Sequence, residues 1–439
     1  MRQWLRAGSV WTKGKASGEE IPQVLKSAAV GICGKEIIYV GPDDPERAAT
    51  YDRIVDLRDC FLMPGFINAH THMGLSLLRG YAEDLPLARW LHEKIFPLED
   101  QMDGAVIAVG TRLAIAEMIR TGTTCCLDMY FHMHEVAGVV EETGFRACLC
   151  SSFMGDCSEE DFLEKLRESE QFCRYWYGKG QGRITTAIAP HAPYTCRPDQ
   201  LRQAAELSQR LDLPIHIHIA ETRREVEEHK ERYQLHPVTH LQEIGILQRP
   251  CILAHVVHVG EEEIEQLAEG RAHVVHNPRS NLKLGSGIAP VVPMLRSGLC
   301  PALGTDSSAS NNSLDMLSEV QMACLLHKGV YEDPMALSAG QALRMGTEYG
   351  AYALGLSDRI GTLEVGKQAD VVAWNLEGVC HAPGEDPVTQ LVYSAGRSDV
   401  HSVYVAGRCL LENGVFQVMD EEKIVADAKQ ALQTLRARC

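Results

Sequence analysis

The chain has 439 residues, 45% hydrophobic and 23% charged, the composition of a soluble globular protein longer than one average domain. Its 59 acidic against 42 basic residues leave a net charge of −17, which excludes a nucleic-acid polymer as partner because phosphate binding needs clustered Lys and Arg. No stretch approaches the roughly 18 apolar residues of a membrane span, and the first residues, MRQWLRAGSVWTKGK, lack the apolar core of a signal peptide. The 15 cysteines form no C-x₂-C pair, and several, such as Cys125, Cys126, Cys148 and Cys150, fall in apolar runs where a thiol behaves as a small hydrophobe. A reducing cytoplasm is the expected compartment.

In chain order, residues 28–42 and 54–65 read as short antiparallel strands with Gly turns. From Gly65 to about Gly355, apolar runs then alternate with helical patterns. The runs are FINAHTH (66–72), TTCCLDMY (123–130), FRACLCSS (145–152), ITTAIAPHA (184–192), PIHIHIAE (214–221), CILAHVVH (251–258), AHVVHNP (272–278) and CPALGTDS (300–307). Buried parallel strands read as near-continuous hydrophobic runs, and residues 106–120 and 200–211 carry helical spacing between them. Eight such units predict an α/β fold, a (β/α)₈ TIM barrel over residues 64–356. Residues 367–376 and 400–414 again look like antiparallel strands, so residues 1–63 and 357–439 are expected to form one small β-sandwich, ending in a helix over 421–438.

Candidate metal ligands sit at the predicted strand ends: His70 and His72 on the first strand, His218 on the fifth, His255 on the sixth and Asp306 on the eighth. Residues two apart on a strand point the same way, so His70 and His72 can grip one ion together. A barrel gathers the distant ligands because its site lies at the C-terminal strand ends. Imidazole and carboxylate suit Zn²⁺ or Fe²⁺, and such an ion lowers the pKa of a bound water toward neutrality. Glu221, three residues beyond His218, carries two readings: an acid/base above the ligand strand, or an acidic residue favouring the dipole of a helix starting there.

The motifs PGFINAHTHMG (64–74), HIHIAET (216–222), LAHVVH (253–258), HNPRSNLKLGSGIAPV (276–291) and GTDSSASNNSLDM (304–316) resemble the amidohydrolase superfamily over essentially the whole chain. His191 stands where two-metal members carry a bridging modified Lys. The resemblance therefore implies one divalent metal per chain, Zn²⁺ with Fe²⁺ as alternative, ligated by His70, His72, His218 and Asp306. It also implies that His255 contacts the attacking hydroxide and that Glu221 shuttles a proton to a ring nitrogen. His255 with Asp306 then guides the proton that leaves with ammonia. The segment DLPLARWLHEKIFPLE (84–99) is similar to the 5′-methylthioadenosine/S-adenosylhomocysteine deaminase subgroup.

That similarity implies deamination of the adenine ring of a 5′-substituted adenosine. Glu99 would hold the ribose hydroxyls, His191 would hydrogen-bond the nucleoside, Trp90 would line the 5′ side, and Glu221 and Asp306 would contact the ring. Trp90 also reads as an ordinary helix core residue, and His191 as a satisfied barrel-top histidine. Related sequences often carry an Arg after the third strand, suited to a charged amino-acid tail. Here Ser152 and Phe153 follow instead, which favours an uncharged 5′ group unless Arg279 compensates from its loop. The rival substrates are other heterocycles: guanine, 8-oxoguanine, a pterin or a triazine. A homo-oligomer is expected.

Overall fold

The computed structural model describes residues 1–16 and 19–438. At its centre are eight parallel strand positions in two hydrogen-bonded arcs. The first arc runs Phe66–Thr71, Thr123–Tyr130, Arg146–Phe153 and Ile184–Thr186, with Ala189–Pro190 also pairing the third strand. The second runs Ile215–Ile219, Cys251–His255, Ala272–His276 and Ala302–Leu303. Single bridges, Ile188 to Ile215 and Thr71 to Asp306, close the arcs into the barrel. Alternate residues fill its interior: Ile67, Ala69, Cys125, Leu127, Met129, Cys148, Cys150, Ile252, Val275 and Ala302 form one buried cluster with Ala351, Leu354 and Ile360. The opposite faces meet the outer helices, which include Gly104–Arg120 and Pro198–Leu211.

Two strands fall furthest short of the sequence reading. The eighth shrinks from 300–307 to Ala302–Leu303, and the fourth breaks after Thr186. On the eighth, side chains replace ladder bonds. Asn68 donates to Thr305 Oγ1 at 2.7 Å and accepts the Thr305 N–H at 3.0 Å, so it stitches the first strand to the eighth.

The terminal segments build one mixed sheet of eight strands. Its first member, Arg2–Ala16, has no counterpart among the predicted elements; it pairs antiparallel with Glu19–Cys33 and parallel with Arg53–Pro64. Val371–Asn375 joins the far side of Arg53–Pro64 and brings in Val400–Val405 and Arg408–Glu412. The sheet curls until its edge strand Glu36–Pro42 meets the chain ahead of Val371. There Ile37 N–H reaches the Lys367 carbonyl and Ala369 N–H the Lys35 carbonyl, both at 2.8 Å. The fold-over buries Leu5, Val10, Val30, Ile32, Leu62, Val371 and Tyr404 as in a sandwich. The closing helix Glu421–Arg438 lies on Gly104–Arg120, with Leu435 fully buried. Among the described residues no helix is long and apolar enough to cross a membrane.

One ion pair pins the sheet to the barrel. Arg146, at the start of the third barrel strand, makes a bidentate contact to Asp370 (2.7 and 2.9 Å) and a third bond to Gln368 Oε1 at 2.7 Å. Both charged side chains are almost fully buried. Removing one member leaves the other charge stranded, whereas replacing both with apolar groups does not. Asp370→Asn should therefore cost about 3–5 kcal/mol, read as a lowered unfolding midpoint. The double change Arg146→Met, Asp370→Leu should lose less than Asp370→Asn alone.

Candidate active site and metal centre

The histidine pair on the first strand owes its aim to a bulge. Ile67 and Ala69 face the barrel interior, so strict alternation would next present Thr71 rather than His70. The pairing slips between Asn68, opposite Cys126, and Thr71, opposite Asp128: three steps on one strand match two on the other. A bulge of this kind re-aims the side chains beyond it. His70 and His72 thereby turn toward the mouth, with ring centroids 4.8 Å apart and 4.8 and 5.3 Å from His218. Gly304 permits the close approach of the eighth strand, since a Cβ there would meet Asn277 Oδ1 at 2.5 Å and the His70 nitrogen at 2.9 Å. Ala220, His255, Val256 and Asp306 all have left-handed φ between 48° and 77°, a cluster of backbone strain at the strand ends.

Hydrogen bonds fix the tautomers. A carbonyl only accepts, so the ring nitrogen facing one must carry the proton. His72 Nδ1 donates to Met129 O at 2.5 Å and His218 Nδ1 to His191 O at 2.8 Å. His216 Nδ1 donates to Ile252 O at 2.9 Å, which leaves its Nε2 to accept from His70 Nδ1 at 2.9 Å. All three rings therefore present a bare Nε2 to one space. His72 Nε2 lies 3.3 Å from His218 Nε2, and the buried His70 Nε2 has no hydrogen-bond partner. Asp306 Oδ1 stands 3.2 and 3.6 Å from the His72 and His70 Nε2 atoms.

Lone pairs crowded beside a carboxylate repel one another unless a cation lies between them. The donor set, three imidazole nitrogens and a carboxylate oxygen, suits Zn²⁺ or Fe²⁺. Asp306 is itself held: Ser280 Oγ and Ser310 Oγ donate to Oδ2 at 2.6 and 2.9 Å, and Ser307 N–H to Oδ1 at 2.7 Å.

Glu221 has its carboxylate in the site, not on a helix end. The helix Arg223–Tyr233 is capped by Thr222, and Glu225 takes the N–H groups of Ala220 and Glu221 at 2.8 Å each. Glu221 Oε1 accepts from Ser286 Oγ at 3.2 Å, and Oε2 lies 3.8 Å from His255 Nε2. Burial pushes the Glu221 carboxyl up, partly offset by His255. His255 Nδ1 pairs with Asn281 Oδ1 at 2.8 Å, leaving Nε2 free toward Glu221.

Glu221, His255 and Asp306 line a cleft together with Trp90, Glu99, Tyr130, His191 and Tyr194, and the His191 ring lies 4.8 Å from that of His218. Nine residues of plain α-helix at about 100° each would put Trp90 and Glu99 on opposite sides. The π turn Leu91–Ile95 between them rewinds the helix, and both reach the cleft. Trp90 is 4% exposed, and its indole N–H donates to Ala82 O at 3.2 Å. Tyr130 donates to Glu99 Oε1 at 2.6 Å, and burial raises the Glu99 carboxyl. Burial also lowers His191 to about 3, so its ring is neutral, with Nδ1 at 3.0 Å from Thr195 Oγ1. Arg279 turns away: its side chain and backbone N–H face the buried Glu319, outside the cleft.

The sequence reading missed Tyr130, Tyr194, His216 and the serines around Asp306. His216 had a signal, since it precedes His218 by the same two-residue step that singled out His70 and His72.

A closed barrel with imidazoles and carboxylates at its C-terminal mouth is the architecture of metal-dependent hydrolases, and residues 61–410 match the amidohydrolase family. The chain belongs to that family. It is 44% identical over 410 residues to the 5-methylthioadenosine/S-adenosylhomocysteine deaminase of Moorella thermoacetica, covering 93% of this chain and 95% of that one. The protein of the same name from Halalkalibacterium halodurans is 46% identical over 398 residues, covering 90% of each. Among solved structures, an adenosine deaminase from Xanthomonas campestris with bound zinc superposes with a TM-score of 0.92. It is 38% identical, over 99% of this chain and 98% of that one. An atrazine chlorohydrolase from Arthrobacter aurescens complexed with zinc follows at a TM-score of 0.89 and 25% identity, covering 98% and 100%.

The His216 contact has a measurable consequence. Partners that orient a ligand imidazole typically govern 10–100-fold in metal affinity. His216→Ala should weaken zinc binding by about that factor in a chelator competition, with the fold intact by circular dichroism.

Proposed function

We propose that this protein is a mononuclear metal-dependent aminohydrolase that deaminates the adenine ring of 5′-substituted adenosines to the inosine derivative and ammonia. The observation that carries the reading is one cleft lined by candidate metal ligands, a buried Glu221 and a second buried carboxylate at Glu99. His70, His72, His218 and Asp306 would hold the ion, which when bound would supply a water activated for attack at neutral pH.

The chain's own groups do the rest. Glu221, buried in the cleft, takes a proton from the attacking water as a carboxylate and delivers it to N1. His255, with Nδ1 anchored on Asn281, presents Nε2 as an acceptor next to Glu221 and, with Asp306, guides the proton that leaves with ammonia. Glu99 accepts from the ribose hydroxyls, a role suited to a carboxylate because both oxygens are acceptors only. Tyr130 holds Glu99 in place from behind. His191 hydrogen-bonds the nucleoside, and Trp90 lines the side where the 5′ group lies.

Two variants separate these roles. Glu221→Gln should keep the metal, measured by elemental analysis at about one ion per chain, and lose about 10²–10⁴-fold in turnover. Two tightly bound ions per chain would end the mononuclear assignment.

Glu99→Ala removes two charge-assisted hydrogen bonds, each worth about 1.5–3 kcal/mol, and should cost on the order of 10²–10⁴-fold in kcat/KM for nucleosides. An ammonia-release screen over methylthioadenosine, S-adenosylhomocysteine, adenosine, adenine, guanine and 8-oxoguanine checks the class. Free adenine should be poor for the wild type, and guanine or 8-oxoguanine turning over faster than every adenosine would overturn the reading.

A further inference from the structure

Residues 281–287, which begin in the short helix Pro278–Lys283 and run into the glycine-rich loop after it, touch both proton-handling groups of the cleft. Asn281 Oδ1 accepts from His255 Nδ1 at 2.8 Å, and Ser286 Oγ donates to Glu221 Oε1 at 3.2 Å. The two contact points are themselves tied, because the Ser286 N–H donates to the Asn281 carbonyl at 2.8 Å. Ser286 is buried and is not among the residues that line the cleft, so it touches Glu221 without facing a substrate.

The Ser286 backbone is held through its carbonyl as well. A carbonyl only accepts, so His258 donates through Nε2 to Ser286 O at 2.7 Å, and His236 through Nε2 to His258 O at 2.9 Å. His236 Nδ1 in turn accepts the Val238 N–H at 3.2 Å. Gly287 lets the loop pack closely: at its φ of 121° a side chain would be strained, and a Cβ would stand 3.0 Å from Val257 Cγ1. With both backbone polar groups engaged, the Ser286 hydroxyl has one acceptor among the described residues, Glu221 Oε1.

We infer that Ser286 is a positioning residue that confines the proton traffic of Glu221 to one oxygen, Oε2; the inference rests on the acid/base role proposed above for Glu221. A proton on Oε1 would turn the acceptor of the Ser286 hydroxyl into a hydroxyl oxygen, a poorer acceptor, in a buried setting where a weakened hydrogen bond is destabilising. A proton on Oε2 leaves that bond intact in both states of the carboxyl. Oε2 is also the oxygen 3.8 Å from His255 Nε2. The transfer then runs through one atom. An O–H bond of the water breaks as Oε2–H forms, Oε2–H breaks as N1–H forms, and the carboxylate is restored. Asn281 and Ser286, joined through one backbone bond, thereby set the spacing of the two groups that move protons.

The test is steady-state kinetics on the metal-loaded full chain, with the fastest substrate of the ammonia-release screen, so that a different ring leaves it intact. Ser286→Ala should lower kcat by about 10–100-fold, the effect of losing one hydrogen bond to a charged group. KM should stay within about 2-fold, because Ser286 does not line the cleft, and the metal should remain bound. In the Glu221→Gln background the same substitution should lower kcat by no more than about 2-fold, since no carboxyl is left to aim. An unchanged kcat, a loss expressed in KM, loss of the metal, or an equal fall in both backgrounds would overturn the assignment. Failure of the Glu221 reading looks different, because Glu221→Gln would then keep its turnover.

Discussion

The seam between the first and eighth barrel strands is the constraint on which the site depends. Only two residues of the eighth strand make ladder bonds, so closure there falls to a few specific contacts: the Asp306 N–H to His70 O at 3.0 Å, Thr71 Oγ1 to Asp306 O at 3.0 Å, and the double link between Asn68 and Thr305. The same residues that close the barrel carry or adjoin the candidate ligands. His70 and His72 reach Asp306 because this seam is shut, and the strained φ of Asp306 is held by the bonds on either side of it. Strain of this kind persists only where the surroundings over-determine the backbone.

Around that seam the polar groups are arranged in layers. His216 and the carbonyls of Met129, Ile252 and His191 decide which nitrogen of each imidazole is bare. Three hydrogen bonds turn the Asp306 carboxylate, and Asn281 does the same for His255. Each candidate ligand is thus oriented by a hydrogen bond on the side away from the ion. This preorganisation keeps the donors aimed without help from the ligand.

How much of this was legible in the sequence follows from what each feature depends on. The barrel strands could be read because parallel strands buried on both faces leave continuous apolar runs. The ligand positions could be read because strand ends and family-like motifs coincide there. The bulge at residues 68–71 could not, since it exists only in the pairing of two backbones. Arg2–Ala16 escaped because its charged and small residues break the alternation that marks a strand, although Glu19–Cys33 pairs with it along nearly its whole length. Tyr130 was hidden at the end of an apolar run, and its hydroxyl acquires meaning only when helix Phe96–Glu99 places Glu99 against it.

Arg146 and Asp370 meet at the start of the third strand, the end of the barrel away from the mouth. This ion pair between sheet and barrel is therefore remote from the groups that line the cleft. Loops around the mouth can vary in length and composition without loosening the joint between barrel and sheet. In evolutionary terms the chain separates robustness from innovation: drift at the mouth explores new heterocycles or 5′ groups, while the far end keeps each variant folded long enough to be tried.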